Sequence, residues 1–271
     1  FLLSGTPFFD NQALAVQQMH AAEPIATGWF TYDAPEEQGE KPQNWKFTPA
    51  ADGVVRIWKE PEKGVPYVLG GDTAGDGSDC FTAHVLDNRT GEQVAELQQR
   101  QSEILYARQV YCLGQYYNQA LAAIEVNFST YPERKLEEWN YPHLYQRERF
   151  DTYANTTVKA FGWHTTPATR PQMLAELHTV MEEAPQVIQS RWTLGEMIVF
   201  VYDKNRKPQA AEGQHDDLVI AAAIAQMART QQRYTVEEPG GDKSHWTPDM
   251  WEDYNRADPE TRKMLEKRWA R

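Results

Sequence analysis

Short apolar runs, each closed by turn residues, dominate the middle of the chain. Tyr67-Val68-Leu69-Gly70-Gly71 reads as a strand ending at Asp72, followed by a Gly/Asp/Ser loop over Thr73 to Asp79 and a second strand, Phe81 to Leu86. The turn Asp87-Asn88-Arg89-Thr90-Gly91 leads into a third strand, Gln93 to Gln99, so these three predict an antiparallel meander. From Ser102 to Asn118 the spacing becomes helical, with Leu105, Val110, Leu113 and Tyr117 roughly on one face. A fourth apolar strand, Leu121 to Val126, carries Glu125 inside it.

The flanks follow the same logic. Residues 1–64 read as an N-terminal segment with a strand piece, Trp29 to Tyr32, and a polar loop, Asp33 to Asn44. A β-hairpin is expected there, Trp45 to Thr48 turning at Ala50-Ala51-Asp52-Gly53 into Val54 to Trp58. Thr169 to Glu183 predicts a helix with Pro171 in its first turn and Met173, Leu174, Leu177 and Met181 as its apolar stripe. Thr193-x-x-Glu196 has the form of a capping box, yet Met197 to Tyr202 is β-branched and aromatic and is read as a strand. A basic turn, Lys204-Asn205-Arg206-Lys207, follows. Leu218 to Met227 is apolar all round, as a helix buried against a sheet would be. After about Val236 the chain is polar: a Gly/Pro linker, then two short helices starting at Thr247-Pro248 and Asp258-Pro259. The expected organisation is therefore 1–64, a core at 65–235, and a C-terminal tail at 236–271.

Composition narrows the class. Of 271 residues 41% are hydrophobic, with 9 Trp, 13 Tyr and 10 Phe, enough for a real core. No run of about 18 apolar residues occurs, so no membrane span is expected, and the N-terminus lacks a signal-peptide pattern. Cys80 and Cys112 show no metal-site spacing and are read as buried free thiols of a reducing compartment. Phe rather than Met at position 1 leads us to expect a piece of a longer polypeptide. The formal charge of −12 argues against a surface that grips DNA broadly. It is compatible with an enzyme whose acids gather divalent metal.

Three acidic sites stand in or beside apolar elements where a carboxylate has no packing role: Asp72, Glu125, and the Asp216-Asp217 pair opening the late helix. A meander, a helix, a fourth strand and a late helix is the order in which a ribonuclease H-like sheet is built. The expected fold class is thus α/β, a ribonuclease H-like mixed sheet (an antiparallel three-strand meander plus parallel strands) flanked by helices. Asp72 and Glu125 would then be neighbours, with Asp217 alongside. Carboxylates a few ångströms apart raise one another's pKa unless a cation neutralises them, and Mg²⁺ or Mn²⁺ suits such oxygen ligands. The ordinary alternatives are turn initiation for Asp72, a structural ion pair for Glu125, helix capping for Asp216 and dipole stabilisation for Asp217. His215 reads as a hydrogen-bonding neighbour or a ligand; Asp76 and Asp79 read as solvated turn residues or ligands of a second metal.

At these residues the chain resembles the nuclease domain of tailed-phage large terminases. The matching text is Tyr67 to Gly77, Ala122-Ala123-Ile124-Glu125-Val126-Asn127 and, most specifically, Gly213-Gln214-His215-Asp216-Asp217-Leu218-Val219, supported by Leu136 to Tyr145 and Gly162 to Thr166. The resemblance implies metal binding by Asp72, Glu125, Asp216 and Asp217, with two Mg²⁺ or Mn²⁺ ions, and endonucleolytic cutting of concatemeric viral DNA. Catalytic roles fall on Asp72, Glu125 and Asp217. It also implies an ATPase domain in the full-length chain, a portal and a small terminase subunit as partners, and a host-cytoplasm packaging complex absent from the mature virion. No Gly-x-x-x-x-Gly-Lys-Ser/Thr loop is present, so ATP hydrolysis is not expected of this chain. Lys204, Arg206 and Lys207 become candidate phosphate contacts on double-stranded DNA. Rival readings are a resolvase- or transposase-type nuclease of the same architecture, and a non-catalytic module docking on a portal through Trp246, Trp251 and Trp269.

Overall fold

The computed structural model describes residues 6–33, 40–73, 75, 79–100, 102–151, 155–184, 186–232, 246–257 and 259–269. Contacts divide the chain into two compact units, Phe1–Arg233 and Tyr234–Arg271. The first contains β1 (Thr6–Pro7), α1 (Asn11–His20), β2 (Ala26–Thr31), β3 (Lys46–Pro49), β4 (Val55–Ile57), β5 (Tyr67–Asp72), β6 (Phe81–Asp87) and β7 (Gln93–Gln99). It continues through α2 (Glu103–Tyr116), β8 (Leu121–Ile124), α3 (Tyr131–Glu138), β9 (Gln146–Asp151) and β10 (Thr156–Phe161). It closes with α4 (Thr169–Glu183), α5 (Arg191–Ile198), β11 (Phe200–Tyr202), β12 (Pro208–Ala210) and α6 (Asp217–Ala228).

The centre is a seven-stranded mixed sheet in the order β3-β2-β4-β7-β6-β5-β8. All its pairings are antiparallel except β5 with β8. Helices α2 and α3 pack one face, around Tyr106, Val110, Leu113 and Leu136. The other face is covered by α1, α4, α5 and α6 through Leu14, Leu177, Leu194, Val219 and Ile224. Burying each such aliphatic side chain stabilises the fold by roughly 1.5–3 kcal/mol. α6 is buried along nearly its whole length, in keeping with its apolar, Ala-rich sequence. The outer edge of β8 is not left open: Ala122 and Ile124 bond to residues 143–145 and to Trp163.

Two expectations are corrected. The Trp45–Thr48 and Val54–Trp58 segments do not form a hairpin with each other, because β2 lies between β3 and β4 and pairs with both. The run Met197–Tyr202 is not one strand: α5 continues through Met197 and Ile198, and only Phe200–Tyr202 is extended. The cause is local capping from upstream, since the Ser190 side chain accepts the Thr193 N–H and starts a helix that β-branching alone does not stop.

The second unit holds α7 (Pro248–Arg256) and α8 (Pro259–Trp269). Thr247 caps α7 by accepting the Met250 N–H at 3.3 Å. The Trp246 ring lies 5.1 Å from those of Trp251, Tyr254 and Trp269. Among the described residues no helix is long and apolar enough to cross a membrane.

Candidate metal centre

Two adjacent glycines set the floor of the site. A Cβ at Gly70 would overlap the Ala225 backbone of α6, and a Cβ at Gly71 would overlap the Tyr106 hydroxyl of α2. Their absence lets a helix close in on each face of β5 directly before Asp72. Side chains alternate across a strand, so Asp72 projects to the same face as Gly70, toward α6. β8 runs parallel to β5 with Gly71 opposite Ile124, and the Glu125 N–H donates to the Gly71 carbonyl at 2.8 Å. Asp72, the last residue of β5, and Glu125, the first beyond β8, therefore stand side by side, 8% and 4% exposed.

Asp217 is the first residue of α6 and is 7% exposed. Its carboxylate accepts the Cys80 N–H at 2.9 Å, and its carbonyl accepts the Thr82 hydroxyl at 2.8 Å, tying the helix start to β6. Asp216 occupies the N-cap position, but its side chain makes no capping bond. It faces Arg170 instead, whose Nη2 lies 3.4 Å from Asp216 Oδ2 and 3.3 Å from the Pro208 carbonyl.

His215 Nδ1 lies 3.8 Å from both Asp79 Oδ1 and Asp217 Oδ2. Ligand atoms of Asp79, His215 and Asp217 all fall within 4.8 Å of one another, close enough for one ion. Asp76 lies outside the described residues. Lys204, Arg206 and Lys207 are exposed in the turn between β11 and β12, shaped by Asp203, which accepts the N–H groups of Asn205 and Lys207. They do not join the acidic cluster. Their link to it is Arg170, which bonds both to the first residue of β12 and to Asp216.

With this geometry in view, solved structures of the same fold become informative. The large terminase nuclease of the thermophilic phage G20c, crystallised with bound magnesium, superposes with a TM-score of 0.55 at 14% identity over 83% of this chain and 97% of its own. Its cobalt-bound form gives 0.54 at 15% identity over the same shares. The Thermus phage P74-26 large terminase nuclease domain gives 0.50 at 16%, over 79% of this chain and 93% of its own. The fold is that of the large terminase nucleases. No protein-family model matches the chain, and no curated protein is a significant sequence match. The ribonuclease H-like mixed sheet is therefore common ground with the terminase nucleases at an identity too low to carry function by itself.

Electrostatics gives the terminase-like sheet its unusual corner. Burial, then the neighbouring Glu125, drives the Asp72 carboxyl well above the usual carboxylate range. Burial also raises Asp217 to about 6, against the pull of the Cys80 N–H. Among the described residues no Lys or Arg pairs with Asp72, Glu125 or Asp217. A cluster of this kind takes up either protons or a cation. Its oxygen-rich donor set suits a hard divalent ion.

One residue of the centre escaped sequence reasoning. Glu196, on α5, accepts the Leu218 N–H at 2.8 Å and the Val219 N–H at 3.3 Å, one and two residues beyond Asp217. Burial, with Asp217 nearby, raises its carboxyl to about 8. The signal was available: a Glu flanked by Leu194, Met197 and Ile198 is as anomalous as Glu125 in its strand.

Proposed function

We propose that this chain is a divalent-metal-dependent endonuclease that hydrolyses phosphodiester bonds of double-stranded DNA, cutting concatemeric viral DNA during genome packaging. One observation carries the reading: Asp72 and Glu125, from elements far apart in sequence, are buried beside each other within electrostatic reach of Asp217, and among the described residues no Lys or Arg forms an ion pair with any of the three. The terminase nuclease of phage G20c, of the same fold and crystallised both with bound magnesium and with bound cobalt, supports it.

Asp72, Glu125 and Asp217, with Asp216 beside them, would hold one Mg²⁺ or Mn²⁺ ion. Asp79 and His215 would hold a second, sharing Asp217. Such a pair of ions, when bound, activates the attacking water and stabilises the leaving 3′-oxygen, so no protein nucleophile is required. The chain's own residues do the positioning. Cys80 and Thr82 fix the Asp217 end of α6 against β6, and Arg170 offsets part of the charge at Asp216. Lys204, Arg206 and Lys207 would lie along phosphates, giving few, salt-sensitive contacts and little base readout. In packaging the domain would work with an ATPase domain of the full-length chain, a portal and a small terminase subunit, within the host cytoplasm.

The test is digestion of supercoiled plasmid with Mg²⁺, Mn²⁺, Ca²⁺ or EDTA. Wild-type protein should nick and linearise with Mn²⁺ or Mg²⁺ and be inert in EDTA, while Asp72→Asn and Glu125→Gln should be inert throughout yet folded by circular dichroism. Cleavage that persists in EDTA, or wild-type rates in both variants, would remove the metal centre from the chemistry. A strong preference for branched over linear or circular DNA would point to a resolvase-type enzyme instead.

A further inference from the structure

We infer that Glu196 is a positioning residue of the metal centre: it caps α6 from a different helix and thereby sets where the Asp216 and Asp217 carboxylates are held. This rests on the metal-centre reading above and extends it to a residue that touches no ion. A helix start leaves N–H groups without intrahelical acceptors, and the N-cap side chain ordinarily supplies one. Here Asp216 stands at that position but makes no capping bond. Glu196 Oε2 takes its place, accepting from Leu218 and Val219. The exchange of roles has a chemical consequence. An Asp216 engaged in capping would turn its oxygens toward the helix axis, whereas the uncapped Asp216 faces Arg170 at the rim of the cluster.

The helix that carries Glu196 is itself anchored by hydrogen bonds. At the start of α5, Gln93 Oε1 accepts the N–H groups of Gln189 and Ser190, each at 2.9 Å. One turn before Glu196, the Thr193 hydroxyl donates to Glu96 Oε2 at 2.6 Å. These anchors are side chains of β7, the strand next to β6, to which Asp217 is tied. Glu196 thus closes a ring that runs from β7 through α5 to the first turn of α6 and back to β6. Partners of this kind, which orient a ligand without touching the metal, typically contribute about 10–100-fold to metal affinity or activity.

The experiment is Mn²⁺ titration of the full chain followed by electron paramagnetic resonance, together with hydrogen exchange at the Leu218 and Val219 amides. Glu196→Ala should weaken Mn²⁺ binding by about 10–100-fold and speed exchange at both amides. Glu196→Gln keeps an acceptor oxygen at the same reach and should restore most of both. Should the Ala variant fail to fold, Glu196→Asp, one methylene shorter, should give the same loss. Wild-type Mn²⁺ affinity in a folded Ala or Asp variant would overturn the inference, as would equal losses in Ala and Gln. Asp217→Asn separates the two levels. If it binds Mn²⁺ like wild type, the metal-centre reading fails; if it loses binding while Glu196→Ala does not, only the role of Glu196 fails.

Discussion

The row Arg56–Glu96–His84 and the row Thr82–Asp72–Glu125 cross the same face of the sheet, two residues apart along the strands. Both carry buried carboxylates. In the first, Glu96 is fully buried but meets the Arg56 guanidinium on one oxygen and the Thr193 hydroxyl on the other, with Gln93 and His84 completing the network. Burial holds His84 down to about 4, so it takes part as a neutral hydrogen-bonding ring. In the second row the charges that act on Asp72 are further carboxylates, Glu125 first and then Asp217 and Asp216. The same strands thus contain a polar network that is complete within the protein and one that is not. A buried charge with its complement in place is architecture, whereas a buried group of like charges attracts something cationic.

The contrast is most sharply tested in the second row. Asp72→Asn, Glu125→Gln or Asp217→Asn should each reduce Mn²⁺-dependent plasmid cleavage to background, while raising the melting temperature in EDTA because a repelling charge is gone. Loss of activity accompanied by unfolding would assign these acids to the fold instead. In the first row the outcome should reverse. Glu96→Ala removes the carboxylate that Arg56 and Thr193 share as acceptor and should destabilise the protein by about 3–5 kcal/mol in urea unfolding. A cost near zero would show that this network is not closed.

Smaller effects follow from the elements around the rows. Gly70→Ala forces α6 away from β5 and should cost about 1–3 kcal/mol by overpacking, again read by urea unfolding. Asp217 at about 6 and Glu196 at about 8 are raised above their unfolded values of about 3.9 and 4.3. Their contribution to the metal-free fold is therefore present in acid and is lost as pH rises through those values. A cation reverses that loss, so the thermal shift given by Mn²⁺ should grow from about pH 5 to pH 8, measured by scanning fluorimetry. The smallest expected effect is at the basic turn. Replacing Lys204, Arg206 and Lys207 by Ala should flatten the salt dependence of DNA binding, by about 0.9 in slope for each phosphate that is no longer neutralised.

Much of this molecule was legible in its sequence where the signal is local. The Asp87–Gly91 turn between two apolar runs announced the meander, and Pro171 with its apolar stripe gave α4 with the bounds Thr169–Glu183. Asp72 and Glu125 stood out because a carboxylate among apolar neighbours needs a reason. What escaped was non-local. Nothing in residues 45–58 reveals that β2, from earlier in the chain, inserts between β3 and β4. The β-branched run after Glu196 pointed to a strand, yet the cap at Ser190 keeps Met197 and Ile198 helical. Asp216 had the sequence of an N-cap and the position of one, but the capping bonds come from Glu196, twenty residues earlier and on another helix.

The most direct measurement is an anomalous-difference map from a crystal of the protein soaked in Mn²⁺. The account predicts a peak bounded by the carboxylates of Asp72, Glu125 and Asp217, absent from a crystal of Asp72→Asn treated alike. Density elsewhere on the molecule with nothing among these three side chains would contradict it.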